Sequence, residues 1–213
     1  TLSTPCREST SHMPTDSDAR SALRRQLRGQ RKTIEPARRT AAALAAAEHI
    51  SGLPHWSAAY HIGLYWPNDG ELDTRPLADA CRNEGKRVYL PVLTQHHTLT
   101  FREWREDSSL QNNRYGIPEP TAQADAIAVP EMDVVVMPLV GWQRDGYRLG
   151  MGGGFYDRTL ADAGGPLRVG LAYACQEIRG LAMQHWDVAL QWVLTENGLM
   201  PCSQQPRERL TSR

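Results

Sequence analysis

The chain has 213 residues with 24 basic and 24 acidic side chains, 40% hydrophobic residues and four cysteines. That length suits one α/β domain with a sizeable core, and zero net charge excludes a global field that would draw the protein to nucleic acid or to an anionic membrane. Cys6, Cys81, Cys175 and Cys202 lie far apart without a C-x-x-C pair, which argues against a zinc knuckle or a disulfide scaffold and for free thiols in a reducing cytosol.

Residues 1–17 are rich in Ser, Thr and Pro, and Ser11-His12-Met13 reads as a cloning remnant, so this segment is set apart as disordered or vector-derived. One domain is expected over 18–202, with 203–213 as a tail. No run reaches the ~18 apolar residues of a membrane span, and the polar start lacks the apolar stretch of a secretion signal. The expectation is a soluble, cytoplasmic protein, a monomer rather than an oligomer.

A helix is expected from Asp18 to Lys32, with Asp16, Ser17 or Asp18 able to cap it. Its apolar face is thin, carried by Leu23 and Leu27, while Arg20, Arg24, Arg28 and Arg31 fall on a neighbouring stripe. Between Arg20 and Arg39 eight basic residues meet one acid, Glu35, a local charge of +7. Arg20 and Arg24 stand one turn apart, so two guanidinium forks can converge on one polyphosphate. A solvated basic face accounts for the pattern as well, and Arg28 and Arg31 are weaker candidates.

A second helix follows Thr33, with Pro36 in its first turn and an alanine-rich body to about Ile50. Ala58 to Trp66 reads as a strand that Pro67-Asn68-Asp69-Gly70 breaks. Glu71, just past the break, is either a surface glutamate or an acceptor held toward a ligand in the crevice of the sheet. A helix from Thr74 or Asp73 to Glu84, closed by Gly85, and a strand over Arg87–Val92 complete a right-handed β-α-β unit with parallel strands. A hairpin-like stretch around Leu99–Trp104 and a loop through Pro118-Glu119-Pro120 follow. Strands are then expected over Asp133–Val140, Leu167–Tyr173 and Leu190–Thr195, with a helix ending near Ala163.

Between the first of these strands and that helix lies Leu149-Gly150-Met151-Gly152-Gly153-Gly154-Phe155-Tyr156-Asp157-Arg158. Glycine tolerates positive φ, so such a loop can present backbone N–H groups to an anion, and a helix starting near Phe155 adds its positive dipole end. Neither the P-loop ending nor the G-x-G-x-x-G spacing is present, and a mobile surface loop is the bland alternative. Arg148 and Arg158 flank the glycines, and Phe155-Tyr156 are aromatics that a solvated linker has no use for. Asp157 is placed to hold a Mg²⁺ that also bridges phosphate oxygens, or simply to cap the helix. None of the seven histidines has metal-ligand spacing.

Gly146 through Arg158 resembles the signature of the 5-formyltetrahydrofolate cyclo-ligase family, also called methenyltetrahydrofolate synthetases. Asn68-Asp69-Gly70-Glu71-Leu72-Asp73-Thr74, Arg87–Val92, Tyr115–Pro120 and Trp186-Asp187-Val188 through Thr195 occur in the order that family shows, so the resemblance covers roughly residues 18–200. It implies an α/β fold of three α/β/α layers on a mostly parallel sheet, like that of NagB, RpiA and the CoA transferases. It also implies ATP- and Mg²⁺-dependent conversion of 5-formyltetrahydrofolate, polyglutamylated or not, to 5,10-methenyltetrahydrofolate with release of ADP and phosphate. Residue by residue it implies ATP contacts at Arg20, Arg24, Arg148, Leu149, Gly150, Met151, Gly152, Gly153, Gly154, Phe155 and Tyr156. Folate contacts fall at Trp66, Glu71, Met151, Gly152, Gly153, Gly154 and Phe155, catalytic roles at Arg148 and Asp157, and the metal at Asp157.

Departures from the family pattern are visible. Arg20 stands in place of a lysine, and Met151 and Gly153 stand where relatives carry basic residues, which shifts phosphate charge onto Arg20, Arg24 and Arg148. A second acid is expected in the closing segment, where Gln191 is the aligned residue and Asp187 is out of register. A sugar-phosphate isomerase or CoA-transferase-like enzyme of the same fold needs no ATP. An RNA-binding module using the arginine-rich helix predicts steeply salt-dependent affinity.

Overall fold

The computed structural model describes residues 16–161 and 164–203, so the expectations for 1–15, for 204–213 and for a helix end at 163 lie outside the described residues. In chain order the elements are α1 (Asp16–Lys32), α2 (Pro36–His49), β1 (His61–Gly63), α3 (Arg75–Asn83), β2 (Arg87–Leu93), β3 (Leu99–Glu103), β4 (Leu110–Asn112), β5 (Pro118–Pro120) and β6 (Ala126–Ile127). There follow β7 (Val134–Pro138), β8 (Gly141–Trp142), β9 (Arg148–Leu149), α4 (Phe155–Leu160), β10 (Leu167–Leu171), β11 (Trp192–Thr195) and β12 (Gly198–Pro201).

Eight strands form one sheet in the order β12-β11-β10-β7-β1-β2-β3-β6. Its centre is parallel, β11 to β10 to β7 to β1 to β2, and antiparallel strands close both edges. The crossover from β1 through α3 to β2 is the expected β-α-β unit. Alternation along β7 fills both faces: Val134 and Val136 join one hydrophobic cluster, Val135 and Met137 the other. The first cluster packs α2, through Ala42, Ala43 and Ala46, and α3, through Leu77, Ala78 and Cys81, onto the sheet. The second face is covered by α4, by Trp142 of β8 and by irregular chain that supplies Leu139, Val188 and Leu190.

Pro118-Glu119-Pro120, expected as a loop, is strand β5, paired antiparallel with β4, and three further differences from expectation have local causes. β1 is shorter than Ala58–Trp66, because the chain leaves the sheet after Leu64 donates to Tyr89 and runs toward Pro67, which has no N–H to give a ladder. β12 was not foreseen; it pairs antiparallel with β11 after the Glu196-Asn197 turn and opens on Gly198 at φ +129°. The β8–β9 hairpin, also unforeseen, gives α1 its seat, since Leu27 clusters with Val140, Tyr147 and Leu149, with Leu23 beside them. Cys81, Cys175 and Cys202 are free thiols, and among the described residues no helix is long and apolar enough to cross a membrane.

Candidate active site

A cleft of about 920 Å³ opens beyond the carboxyl ends of β1, β2 and β7. Its volume is that of a site for a large cofactor-sized ligand. Arg20, Arg24, Trp66, Glu71, Arg148, the whole run Leu149–Asp157 and Asp187 line it, so every residue to which the resemblance assigns an ATP, folate, metal or catalytic role lies on this one cavity, while Arg28 and Arg31 do not.

The glycine loop follows β9 and enters α4. Two of its four glycines take the left-handed region, Gly152 at φ +101° and Gly154 at φ +63°. Gly153 is small for another reason: a Cβ there would fall 2.8 Å from the Phe155 ring. The described part of α4 is only six residues long, so its dipole adds less than a full helix would. Arg158 pins the loop instead, donating to the carbonyl oxygen of Gly153 and, through Nε, to that of His97 at 2.8 Å.

Arg24 crosses from α1 to this loop. Its Nε donates to the Gly150 carbonyl oxygen at 2.8 Å, and its guanidinium carbon sits 3.7 Å from where a Cβ on Gly152 would be. The two terminal amino groups of Arg24 make no hydrogen bond among the described residues. Arg20 lies one turn away, stacked over the Tyr147 ring at 5.6 Å, donating to the Ala182 carbonyl oxygen at 2.6 Å and 4.0 Å from Asp187. Arg28 and Arg31 serve the protein: both bind Asp69, and Arg31 is only 1% exposed.

Arg148 is buried and bound within the protein, donating to the carbonyl oxygen of Val188 and, at 2.7 Å, to Oδ1 of Asp157. The same Oδ1 accepts the Val188 N–H at 3.0 Å, while Oδ2 makes no hydrogen bond among the described residues. Asp157 is therefore oriented with one oxygen held by protein and the other left for a ligand. It does not cap α4, whose N-cap is Gly154 without a side-chain bond.

The sequence leaves open whether Asp187 stands in for the acid missing at position 191. Gln191 is not on the cleft; its Oε1 accepts the Arg168 N–H at 2.9 Å, inside the sheet edge. Asp187 is on the cleft, next in sequence to the Val188 that binds Asp157, and its Oδ2 accepts the Gln184 N–H at 2.8 Å. Both positions fall in the irregular chain between β10 and β11, where strand register does not fix which side chain faces the cleft.

Opposite the glycine loop, the turn after β1 presents Glu71. Asn68 organises it, accepting the Asp69 N–H on its side chain at 2.8 Å and the Glu71 N–H on its carbonyl oxygen at 2.9 Å, while Glu71 Oε2 accepts the Asn68 N–H at 3.1 Å. Burial pushes the Glu71 carboxyl up to about 7, against the downward pull of Arg31 and of the Asn68 N–H. Trp66 packs edge-on to Trp104 with centroids 5.5 Å apart. The Tyr156 hydroxyl is buried with no hydrogen-bond partner among the described residues, and burial, then Glu71, pushes it well above the usual phenol range. A buried donor of this kind is costly unless a ligand satisfies it.

Sequence reasoning passed over the aromatic rim. Tyr115 stands edge-on to Phe155 with centroids 6.3 Å apart, and Trp186 is edge-on to His185 at 4.5 Å. Both Tyr115 and Trp186 are more than half exposed, a signal only visible once they share a cavity.

Comparison with known proteins agrees with this architecture. The profile of the "5-formyltetrahydrofolate cyclo-ligase family" matches residues 16–196. The 5-formyltetrahydrofolate cyclo-ligase of Haemophilus influenzae is 37% identical over 177 residues, 80% of this chain and 94% of its own length. That of Escherichia coli K12 is 37% identical over 174 residues, 79% of this chain and 96% of its own. The solved structure of Aquifex aeolicus 5,10-methenyltetrahydrofolate synthetase superposes with a TM-score of 0.74 at 26% identity, covering 91% of this chain and 99% of that one. With the matched span including the first helix, the turn of Glu71, the glycine loop and Asp187, the chain belongs to the 5-formyltetrahydrofolate cyclo-ligase family.

Proposed function

We propose that the protein converts 5-formyltetrahydrofolate and ATP to 5,10-methenyltetrahydrofolate, ADP and phosphate. The observation that carries this reading is the meeting, in one cleft, of a glycine loop crossed by Arg24 with a turn that offers Glu71. One wall suits phosphate and the other suits the N–H edge of a reduced pterin.

The chemistry explains the need for ATP. The N5-formyl group is an amide, so attack by N10 alone would have to expel hydroxide. Transfer of the γ-phosphoryl group to the formyl oxygen makes that oxygen a leaving group. N10 then bonds to the formyl carbon and loses its proton, and the C–O bond breaks with departure of phosphate. Positioning and charge neutralisation are what such a reaction asks of a protein.

Arg24 has two amino groups for phosphate oxygens, and the exposed backbone of Gly152 and Gly153 lies beneath it. Arg20 adds charge from the same helix. Arg148 acts at one remove, holding Asp157 in place. Asp157 and Asp187 are the two carboxylates on this part of the cleft, and the unengaged Oδ2 of Asp157 fits a hard cation. A Mg²⁺ held there would neutralise phosphate oxygens during transfer. Glu71 and Trp66 hold the pterin, and the unsatisfied Tyr156 hydroxyl gains a partner when the cleft fills.

The test is the appearance of the methenyl chromophore on mixing protein, ATP, Mg²⁺ and 5-formyltetrahydrofolate. Asp157→Asn is expected to abolish it nearly completely. With Asp187 on the cleft, Asp187→Asn is expected to cost a further large factor that excess Mg²⁺ partly relieves. Product formation independent of ATP would point to a different enzyme of the same fold.

A further inference from the structure

Asp69 is the most heavily paired carboxylate among the described residues; it lines the cleft beside Glu71, yet no step described above uses it. Arg28 Nε lies 2.5 Å from its Oδ2, Arg31 3.1 Å from the same oxygen, and Lys32 Nζ 2.5 Å from Oδ1. Arg31 also donates to the Asp69 carbonyl oxygen, at 2.8 Å and 3.1 Å, and to that of Leu139 at 3.2 Å. One buried guanidinium thus joins α1, the turn after β1 and the carboxyl end of β7.

The turn needs this support. Asp69 at φ +50° and Gly70 at φ +77° are consecutive left-handed residues, and a side chain other than glycine seldom takes that region unaided. Gly70 fits closely against the same helix, with Lys32 Cγ 3.7 Å and Arg31 Cγ 3.9 Å from where a Cβ would stand. Glu71 comes next in the chain, and its carboxylate is fixed by the Asn68 N–H within the same turn. α1 spans 17 residues without a break, so Arg24 and Arg31 are held on one rigid rod about 10 Å apart.

We propose that Asp69 is a positioning residue that couples the two subsites, tying the helix that carries Arg20 and Arg24 to the turn that carries Glu71, so that nucleotide and folate each bind more tightly in the presence of the other. This rests on the function proposed above. A surface ion pair would use one cation; here three converge, all from the last two turns of the helix whose first half reaches the phosphate loop. When phosphate draws Arg20 and Arg24 toward the loop, the clamp carries the displacement to Glu71. By reciprocity, a pterin that seats Glu71 presents the two arginines to phosphate.

The experiment is a pair of titrations with a non-hydrolysable ATP analogue, with and without saturating 5-formyltetrahydrofolate, on the wild type and on Asp69→Asn. The wild type is expected to bind the analogue about fivefold or more tightly with folate present. Asp69→Asn is expected to bind the analogue alone within about threefold of the wild type, while the ratio with and without folate falls toward one. Lys32→Met, which removes one exposed cation and leaves the buried pair, is expected to lower the ratio partway, and serves should Asp69→Asn not fold. A full ratio in Asp69→Asn, or in Lys32→Met where only that variant folds, overturns the proposal. So does a wild type that binds both ligands and cyclises folate without synergy, and there the proposed function stands. A wild type that binds neither ligand overturns both.

Discussion

Arg20 and Arg24 belong to the same stripe of α1 as Arg28 and Arg31, yet the two pairs have different work. Arg24 gives one hydrogen bond to a carbonyl oxygen of the glycine loop and keeps its terminal amino groups at the cleft. Arg31 spends its donors inside the protein, on Asp69 and on Leu139, and is 1% exposed. The acid decides the difference. Asp69 stands beside the second half of the helix and neutralises it, whereas Arg24 faces glycine backbone and open cleft and Arg20 has its acid, Asp187, only at 4.0 Å. A run of arginines is thus divided between a ligand and the fold by where the neighbouring turn places one carboxylate.

The largest effect expected from breaking this division is at Arg31. Arg31→Ala leaves the Asp69 carbonyl oxygen without its donor and the Leu139 carbonyl oxygen with only Gln176 Nε2 at 3.3 Å, removes one partner of a buried pair, and is expected to cost about 3 kcal/mol of stability in urea unfolding. Arg24→Ala is the mirror case. It should weaken ATP about ten- to a hundredfold by titration, the loss of charged hydrogen bonds of about 1.5–3 kcal/mol, while moving stability by less than about 1 kcal/mol. Equal losses of stability in the two variants would erase the distinction.

Glu71 lies where the two territories meet, and its prediction turns on pH. The folded carboxyl titrates near 7 against about 4.3 in the unfolded chain, so folding takes up a proton between those values and stability falls as pH rises through that window. Glu71→Gln is therefore expected to raise stability by on the order of 2 kcal/mol above pH 7, with no gain below pH 4. The same variant should raise the KM for folate about tenfold and leave ATP binding alone. Thermal unfolding across pH and steady-state kinetics check the two halves. Asp69 shows the opposite sign: burial pushes its carboxyl up, but hydrogen bonds from Arg28 and Lys32 outweigh that and hold it down at about 2. Its stabilisation is present at neutral pH and is lost only as pH falls below about 4 toward 2.

The smallest effect sharpens the comparison within the second pair. The Arg28 side chain is 38% exposed where that of Arg31 is 1%. Arg28→Ala should cost no more than about 1 kcal/mol by the same unfolding assay, since solvent screens what it offers.

Much of this was legible in the sequence. Apolar runs marked β7 and β10, the Pro-Asn-Asp-Gly break announced the turn of Glu71, and the glycine signature with its aromatics announced the loop. The division of the arginine stripe was not legible, because it depends on an acid 38 residues from Arg31 meeting the helix in space. Arg148 reads as a phosphate ligand from its place beside the glycines; only the fold shows it turned inward onto Asp157 and Val188. Position 191 drew attention by alignment along the chain, yet the irregular stretch before β11 sets Asp187, not Gln191, on the cleft. β12 was missed because a four-residue edge strand carries too few residues for its period to stand out.

The measurement that bears most directly on the central claim follows one oxygen atom. With ¹⁸O in the N5-formyl group, turnover with ATP should deliver the label to inorganic phosphate, one atom for each methenyl product. Unlabelled phosphate at full turnover, with the ¹⁸O released to water, would contradict transfer of the phosphoryl group to the formyl oxygen in this cleft.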